Sequence, residues 1–409
     1  MTDTTTDVQA LPKLPFARSD ALHTSPMFRE LRERAPVVRV TTPTGDPAWL
    51  VVAYKEAREA FADRRLGYFV HHDPDSASTV SDAAVHSAPM GGEAFDRDMA
   101  RLRKLLVPQF TPKRMRLLDS WIQELTDRCL DDMQRAHDAE PDQPVNFHDL
   151  LGWRLPVLVI SAMLGVPDDD RDHVMALSDR MGDVHGGADA KAANAELREY
   201  MLELIEVKRR DPGHDVISDM IAAEEADPAF YEERPIEYYA AGLVFPGHET
   251  TVARLDFGTL YLLADPSRKE WLMTDPEARI DSTVEEILRM TSAHNLGLLR
   301  WALEDVELGG VTVKRGELVI ISESAANRDP DVFPDAENFD ASRESAPHLA
   351  FGHGPHVCIG QSLARTELRI TFPSMFRRFP DIRLAGDIAQ LQIRNDRTGG
   401  GVDNVPLTW

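Results

Sequence analysis

The chain is short of cysteine and of long apolar runs, and each shortage excludes a class of protein. Only Cys129 and Cys358 occur among its 409 residues, too few for a disulfide framework or a four-cysteine zinc or iron–sulfur site. Such sparse cysteine is typical of a cytoplasmic protein. The longest apolar run, about residues 155–166, is interrupted by Pro156, Ser161 and Gly165 and is shorter than the roughly 20 residues that span a bilayer. We therefore expect no membrane insertion.

Basic residues are also in deficit, with 45 Lys and Arg against 69 Asp and Glu, a net charge of −24. An acidic chain of this kind disfavours non-specific binding to nucleic acid. The first residues, MTDTTTDVQ, have neither the basic region nor the apolar core of a signal peptide. We expect residues 1–20 to be a disordered lead-in and residues 21–409 to form one large domain.

Helical periodicity dominates what is present, and the chain is predicted to be mostly α with small β-sheets. Strand-like alternation covers residues 37–54, residues 66–93 have the composition of a loop, and residues 306–322 have a hairpin pattern. Helices are predicted at residues 26–35, 97–106, 116–137, 155–164, 170–181, 190–209, 216–225, 236–264 and 281–290, and after Cys358.

The stretch HLAFGHGPHVCIGQ surrounds Cys358 with glycines and precedes a helical pattern. Gly352 and Gly354 permit a tight turn that aims backbone N–H groups at the sulfur, and the helix N-terminus adds positive potential. Both effects are expected to lower the thiol pKa and favour the thiolate that binds metal. A single thiolate beside Phe351 suits an axial ligand of haem iron. The alternative is an inert buried cysteine.

FGHGPHVCIG resembles the haem-binding loop of the cytochrome P-450 family, and further motifs follow the family's order. EEILR contains the Glu-x-x-Arg pair Glu286 and Arg289, and NRDPDVF also matches. The family often has a third member, an arginine, where Asn338 stands here, and Arg343 is the candidate substitute. The resemblance implies a single domain holding haem between a long distal helix and a proximal cysteine loop with its following helix.

The resemblance also implies the cofactor and the residues that hold it. The cofactor is haem b, with Cys358 as the iron ligand. The matching cofactor-binding positions are Arg103, Arg300 and His356 for the propionates, together with Phe351, Gly352, Gly360 and Gly247. Many bacterial members have a histidine four residues before the first arginine, where this chain has Met99.

The central helix contains LVFPGHETT, in which Pro246 removes the N–H that would bond to the Gly242 carbonyl. The family has a small residue at this position, and the resemblance places an oxygen cleft at the resulting break in the helix. Thr250 and Glu249 match the pair that delivers protons during oxygen activation. His248 points elsewhere on helical geometry and is not expected to be a ligand. Alternatively, Pro246 is only a packing kink.

The implied activity is a monooxygenase reaction that uses O2 and electrons from a ferredoxin and its reductase. The expected outcome is hydroxylation or a related oxidation of a small apolar organic substrate in natural-product tailoring. The alternatives are oxidative C–C or C–N coupling of an aromatic or peptide-derived substrate on the same scaffold, a peroxide-driven variant, and a haem-based gas sensor. The pocket is expected to use residues 66–93, 175–190, 293–298 and 398–401 and the helix face from Tyr239 to Thr250. A basic segment, residues 97–116, with Arg365 and Arg369, is the expected docking surface for an acidic ferredoxin.

Overall fold

Helices form most of the chain in this computed structural model, which describes residues 11–67, 93–183, 185–292, 296–343, 347–394 and 400–409. The helices are α1 (Met27–Arg34), α2 (Tyr54–Ala62), α3 (Glu93–Leu106), α4 (Pro112–Ala139), α5 (Arg154–Leu164), α6 (Arg171–Gly182), α7 (Gly187–Arg210), α8 (Val216–Ala226), α9 (Ile236–Ala264), α10 (Pro266–Thr274), α11 (Pro276–Met290), α12 (Glu323–Ala326) and α13 (Gln361–Arg378). The mostly α prediction is confirmed. The sequence reading missed α2, α10 and α12 and started α11 five residues late.

Helix α9 is the centre of the helical core because it is buried on almost every side. From Thr251 to Leu263 each of its residues is buried, which is the pattern of a helix enclosed by other elements. Helices α5, α6, α7, α10, α11 and α13 pack against it. The prediction that the helix breaks at Pro246 is wrong, since the helix continues through the proline from Ile236 to Ala264.

Three small sheets lie beside the helices. Strands β1 (Val37–Thr41), β2 (Pro47–Val51), β3 (Leu66–Gly67), β5 (Leu298–Ala302) and β8 (Leu318–Ile321) form a five-stranded sheet in the order β1-β2-β8-β5-β3. Only the β2–β8 pair in this sheet is parallel. Strands β4 (Val145–Asn146), β9 (Arg383–Leu384) and β10 (Pro406–Thr408) form the second sheet, and β6 (Val306–Leu308) pairs with β7 (Val311–Val313).

Strand β8 shows how the five-stranded sheet separates two apolar cores. Leu318 and Ile320 pack with α1 on one face, whereas Val319 and Ile321 pack with α2 on the other. This alternation follows from the two-residue period of a strand. The predicted hairpin at residues 306–322 is therefore correct for β6 and β7, while β8 joins the larger sheet. Within the described ranges, no helix has the length and apolarity needed to cross a membrane.

Candidate active site

The Cys358 loop has the turn geometry that its glycines predicted. Gly352 and Gly354 have φ angles of +69° and +75°, in the left-handed region that favours glycine. A Cβ at Gly354 would lie 2.9 Å from Ala62 Cα, so the loop also packs closely on α2. The Cys358 amide donates to the Phe351 carbonyl at 2.9 Å, and the Gly360 amide donates to the sulfur. The loop therefore fixes the thiol and gives it one backbone donor.

The pKa of Cys358 differs from the sequence-based expectation. Burial raises it, although the Gly360 amide, Arg103, Arg365 and Arg254 all act in the opposite direction. The expectation of a lowered pKa was therefore wrong for the free thiol, because loss of solvation outweighs the loop dipoles. A metal ion would reverse this balance, since a coordinating thiol is deprotonated outright.

A charged brace holds the loop from the proximal side. Arg365 in α13 lies over the Phe351 ring, with its guanidinium carbon 4.6 Å from the ring centroid. The same guanidinium forms two hydrogen bonds to Glu285 in α11, at 2.6 and 2.9 Å, and His348 Nε2 lies 3.1 Å from the same carboxylate. Sequence reasoning missed Glu285, which is separated from Arg365 by 80 positions.

The Glu-x-x-Arg pair forms a buried lock behind the loop. Arg289 donates to Glu286 at 2.7 and 2.8 Å and to the carbonyl oxygens of Asn327, Ala336 and Asn338. Arg343 Nε lies 3.6 Å from Glu286 Oε2. Arg343 thus supplies the third side chain next to the Glu286–Arg289 pair, in place of the arginine that the family often has at the position of Asn338.

Two arginines and a histidine converge at one edge of the same loop. Arg103 in α3 donates to the Val357 carbonyl at 2.8 Å, and Arg300 in β5 is almost fully buried. Burial, Arg300 and Arg103 together lower the pKa of His356. Because these groups raise one another's electrostatic energy, the cluster suits a ligand with several negative charges.

On the distal side, α9 presents a face of accessible residues in an otherwise buried helix. Gly242 and Pro246 are exposed and Thr250 is half-buried, each one turn after the previous one. The Thr250 hydroxyl donates to the Pro246 carbonyl at 3.3 Å. Arg254, one turn further on, favours the Cys358 thiolate electrostatically, so this helix and the cysteine loop bound the same region.

Gly247 points away from this face and toward α5. A Cβ at this position would lie 2.6 Å from Ile160 Cγ1, so glycine is what lets α9 and α5 approach each other. Its predicted contact with the cofactor therefore depends on its backbone alone. Tyr239, predicted to line the pocket, is buried and donates its hydroxyl to Asp98 at 2.5 Å.

Glu249 and His248 lie on the inner side of α9. The Glu249 side chain is 3% exposed, and its Oε2 lies 3.7 Å from His248 Nε2. His248 packs edge-on against Trp153 and is fully buried, so its orientation differs from that of the accessible face, as predicted. Most of the other expected pocket segments, residues 68–92, 293–295 and 398–399, lie outside the described residues.

Comparison with known proteins agrees with this arrangement. The profile described as Cytochrome P450 matches residues 279–382. A relative described as pentalenolactone synthase, from Streptomyces exfoliatus, is 36% identical over 98% of this chain and 99% of its own length. The chain belongs to the cytochrome P450 family. Nocardicin C N-oxygenase from Nocardia uniformis subsp. tsuyamanensis is 35% identical over 97% of this chain and 98% of its own length.

Similarity to solved structures extends the match to the whole fold. The putative thioether synthase SgvP, described as acting in a tailoring step of griseoviridin, superposes with a TM-score of 0.87 at 30% identity, over 98% of this chain and 100% of its own. The LnmA hydroxylase of the leinamycin pathway of Streptomyces atroolivaceus gives 0.85 at 33% identity, over the same shares. This protein is therefore a P450 monooxygenase with the family's single, mostly helical domain.

Haem b is the cofactor of this family, and the described residues fit it. A lone exposed thiol, Cys358, would provide one soft metal ligand. Arg103 and Arg300 would provide cations for two propionates, and His356 beside them would provide a ring nitrogen. The glycines at positions 352 and 354 keep the loop free of side chains at its two turns. Among the described residues, no group of three or more His, Cys, Asp or Glu side chains is arranged to hold a metal ion.

A second buried polar cluster lies along α9, two turns beyond Glu249. The match to the P450 family did not reveal it. Asp256 Oδ2 lies 2.7 Å from His148 Nδ1, and Arg394 Nη1 lies 3.2 Å from His148 Nε2. Because arginine can only donate, a neutral imidazole with its proton on Nδ1 satisfies both contacts. A charged residue in the apolar centre of α9 is the sequence signal for this cluster.

Proposed function

We propose that this P450 is a cytoplasmic enzyme that hydroxylates or otherwise oxidises a small apolar organic molecule in natural-product tailoring. The observation that carries the proposal is the pairing of the exposed Cys358 thiol with the accessible α9 face at Pro246 and Thr250, on two elements that bound the same region. The relatives named as pentalenolactone synthase and nocardicin C N-oxygenase support this class of reaction. A protein that only senses gas would have no use for a buried acid next to an accessible hydroxyl.

The proposed contacts to the cofactor follow from the site. Cys358 binds the iron as thiolate, and Arg103, Arg300 and His356 bind the propionates. Phe351, Gly352 and Gly360 shape the loop around the sulfur, and Gly247 brings the α9 backbone close to α5. When bound, haem b supplies the iron that activates dioxygen.

Thr250 and Glu249 are proposed to move protons within the cleft. The Thr250 hydroxyl proton is donated to the Pro246 carbonyl at 3.3 Å, so the hydroxyl lone pairs are available to accept a hydrogen bond from the cleft. Glu249 immediately precedes Thr250 in the helix and is shielded from bulk water. A shielded carboxyl beside an accessible hydroxyl can deliver protons without admitting bulk water to the site.

The experiment compares two adjacent threonines. Thr250→Val removes the hydroxyl with little change in volume and should leave reductant consumption intact while diverting much of it to peroxide. Thr251→Val, at a buried position outside the accessible face, is the matched control and should keep the wild-type ratio of product to reductant. Unchanged coupling in Thr250→Val would remove Thr250 from the reaction.

Oxidative coupling is the second candidate reaction. SgvP is described as a putative thioether synthase in a tailoring step, which supports bond formation as an outcome on this scaffold. Rigid Pro246 on the accessible face favours a fixed substrate pose, which coupling requires. Product mass distinguishes the two reactions, because hydroxylation adds oxygen and coupling removes hydrogen.

We further propose that electrons arrive from an acidic ferredoxin and its reductase at the surface of α3 and α4. Lys104, Lys113 and Arg116 are exposed and make no ion pair within the described part of the chain. Val107 and Leu117, 45% and 66% exposed, lie among them. Arg365 and Arg369 are weaker candidates than the sequence indicated, because Glu285 and Asp281 already neutralise them.

A further inference from the structure

The imidazole of His248 lies next to the carboxyl of Glu249, and the proposed reaction gives it no role. The ring is fully buried and stands perpendicular to the Trp153 indole, with ring centroids 4.8 Å apart. His248 Nε2 lies 3.7 Å from Glu249 Oε2. These contacts place a titratable ring directly behind the acid of the proposed proton-delivery pair.

The surroundings of His248 determine where its proton lies. Nδ1 is 3.3 Å from the Val244 carbonyl oxygen and 3.3 Å from the Ser178 hydroxyl. A carbonyl can only accept, so Nδ1 carries the proton. Burial lowers the pKa of His248 to about 4, which leaves the ring neutral at pH 7. The Nε2 atom therefore presents a lone pair.

The Nε2 lone pair favours one state of Glu249. No described residue donates a hydrogen bond to this buried nitrogen. A carboxylate at this distance would face the lone pair with like charge, whereas a protonated carboxyl can donate to it. A buried acceptor without a donor is costly, and the Glu249 carboxyl, with Oε2 3.7 Å away, is a neighbouring group that could supply the donor.

We propose that His248 is a positioning residue that holds Glu249 as a neutral carboxylic acid, whose hydroxyl donates to His248 Nε2. The proposal rests on the proton-delivery role of Glu249 and specifies what keeps its carboxyl protonated. Glu249 releases its proton toward Thr250 and the cleft, and the resulting carboxylate takes a proton back from water. His248 keeps its own proton on Nδ1 throughout.

Two substitutions separate this role from simple packing. His248→Gln places an amide oxygen near the former Nε2 and keeps an acceptor for Glu249. His248→Asn keeps a donor near the former Nδ1 and lacks that acceptor. We expect Asn to raise peroxide released per product roughly three- to tenfold, the effect of losing one hydrogen bond, and Gln to stay near wild type. If both His248 variants give the same ratio of product to reductant while Glu249→Gln loses coupling, the proposed role of His248 is wrong and the role of Glu249 stands.

An infrared measurement on the resting protein tests the same point without turnover. At pH 7 the difference spectrum of wild type minus Glu249→Gln should contain a protonated carboxyl band, and His248→Asn should lose it. The Glu367 carboxyl, whose pKa burial raises far above its ordinary value, stays in all these proteins and serves as a reference. No Glu249 band in wild type would contradict the proposal. Full coupling in Glu249→Gln would instead overturn the proton-delivery role on which it rests.

Discussion

The charged residues around the cysteine loop illustrate how single contacts stabilise a site that the sequence only outlines. Glu285 lies between α11 and α13, where it accepts two hydrogen bonds from Arg365 and lies within hydrogen-bond distance of His348. Burial alone would raise the pKa of Glu285, but Arg365 and His348 outweigh it and lower the pKa to about 2. The carboxylate is therefore strongly favoured in the folded state.

This shift makes a prediction about stability and pH. A depressed carboxyl pKa stabilises the folded state above the unfolded value of 4.5, and the effect is lost as pH falls from there toward 2. Glu285→Gln should lower the free energy of unfolding by about 2 kcal/mol at pH 7, and the deficit should shrink below pH 4.5. Urea unfolding at several pH values measures it.

Asp281→Asn is the control for that measurement because it joins the same two helices. Asp281 pairs with Arg369 at 2.6 Å but is 68% exposed, so its loss should cost about 0–1 kcal/mol. An equal loss in both variants, or a Glu285→Gln deficit that is constant down to pH 3, would contradict the assignment.

For single residues, the sequence predicts local backbone geometry better than it predicts which side chains from distant parts of the chain will contact each other. Cys358, Gly352 and Gly354 could be interpreted because their roles depend on near neighbours along the chain. The partner of Arg365 could not, since Glu285 is brought to it only when α11 packs on α13. The raised pKa of Cys358 was missed for a related reason, because burial is a property of the packed molecule.

Helix α9 is the element on which the distal side of the site depends. Its length and burial were predictable from its continuous apolar pattern, and its bounds agree with the prediction. Its continuity through Pro246 was not, because packing on many sides compensates for the one lost hydrogen bond. Helix α10 was missed because its nine residues have one buried side chain and no clear apolar stripe.

Pro246→Ala tests what the proline contributes to this helix. The change restores one backbone hydrogen bond, so the free energy of unfolding should stay the same or rise by roughly 1–3 kcal/mol. Product distribution or coupling should change at the same time, since Pro246 is exposed on the accessible face. Thermal unfolding and a product profile from one preparation provide both values.

Pro373→Ala in α13 provides the comparison, because this second helix-interior proline is buried away from the accessible face. Its substitution should alter stability without altering the product ratio. A large loss of stability in Pro246→Ala with an unchanged product ratio would show that Pro246 serves packing only.

At the scale of the whole molecule, a net charge of −24 makes any basic surface distinctive. Arg103 joins α3 to the cysteine loop through the Val357 carbonyl, and α4 packs along α13. The exposed basic residues of α3 and α4 therefore adjoin the proximal side of the cysteine loop. Long-range attraction should steer an acidic electron carrier to this surface.

Charge reversal tests this surface. The Lys113→Glu and Arg116→Glu double variant should slow reduction by a ferredoxin at low salt, and the defect should shrink as added salt screens the charges. Arg210→Glu, at the exposed end of α7, is the control and should leave the rate unchanged. Stopped-flow reduction at several ionic strengths measures the effect, and a salt-independent rate would argue against docking at this surface.

Every role proposed for this site depends on Cys358 as the thiolate ligand of haem iron. The direct measurement is the absorption spectrum of the reduced carbon-monoxide complex of freshly purified protein, with Cys358→His and Cys129→Ala measured alongside. Wild type and Cys129→Ala should show the strongly red-shifted Soret band of thiolate ligation, because Cys129 is buried in α4. Cys358→His should lose that band. A wild-type spectrum typical of histidine ligation, or a red-shifted band that survives in Cys358→His, would contradict the account.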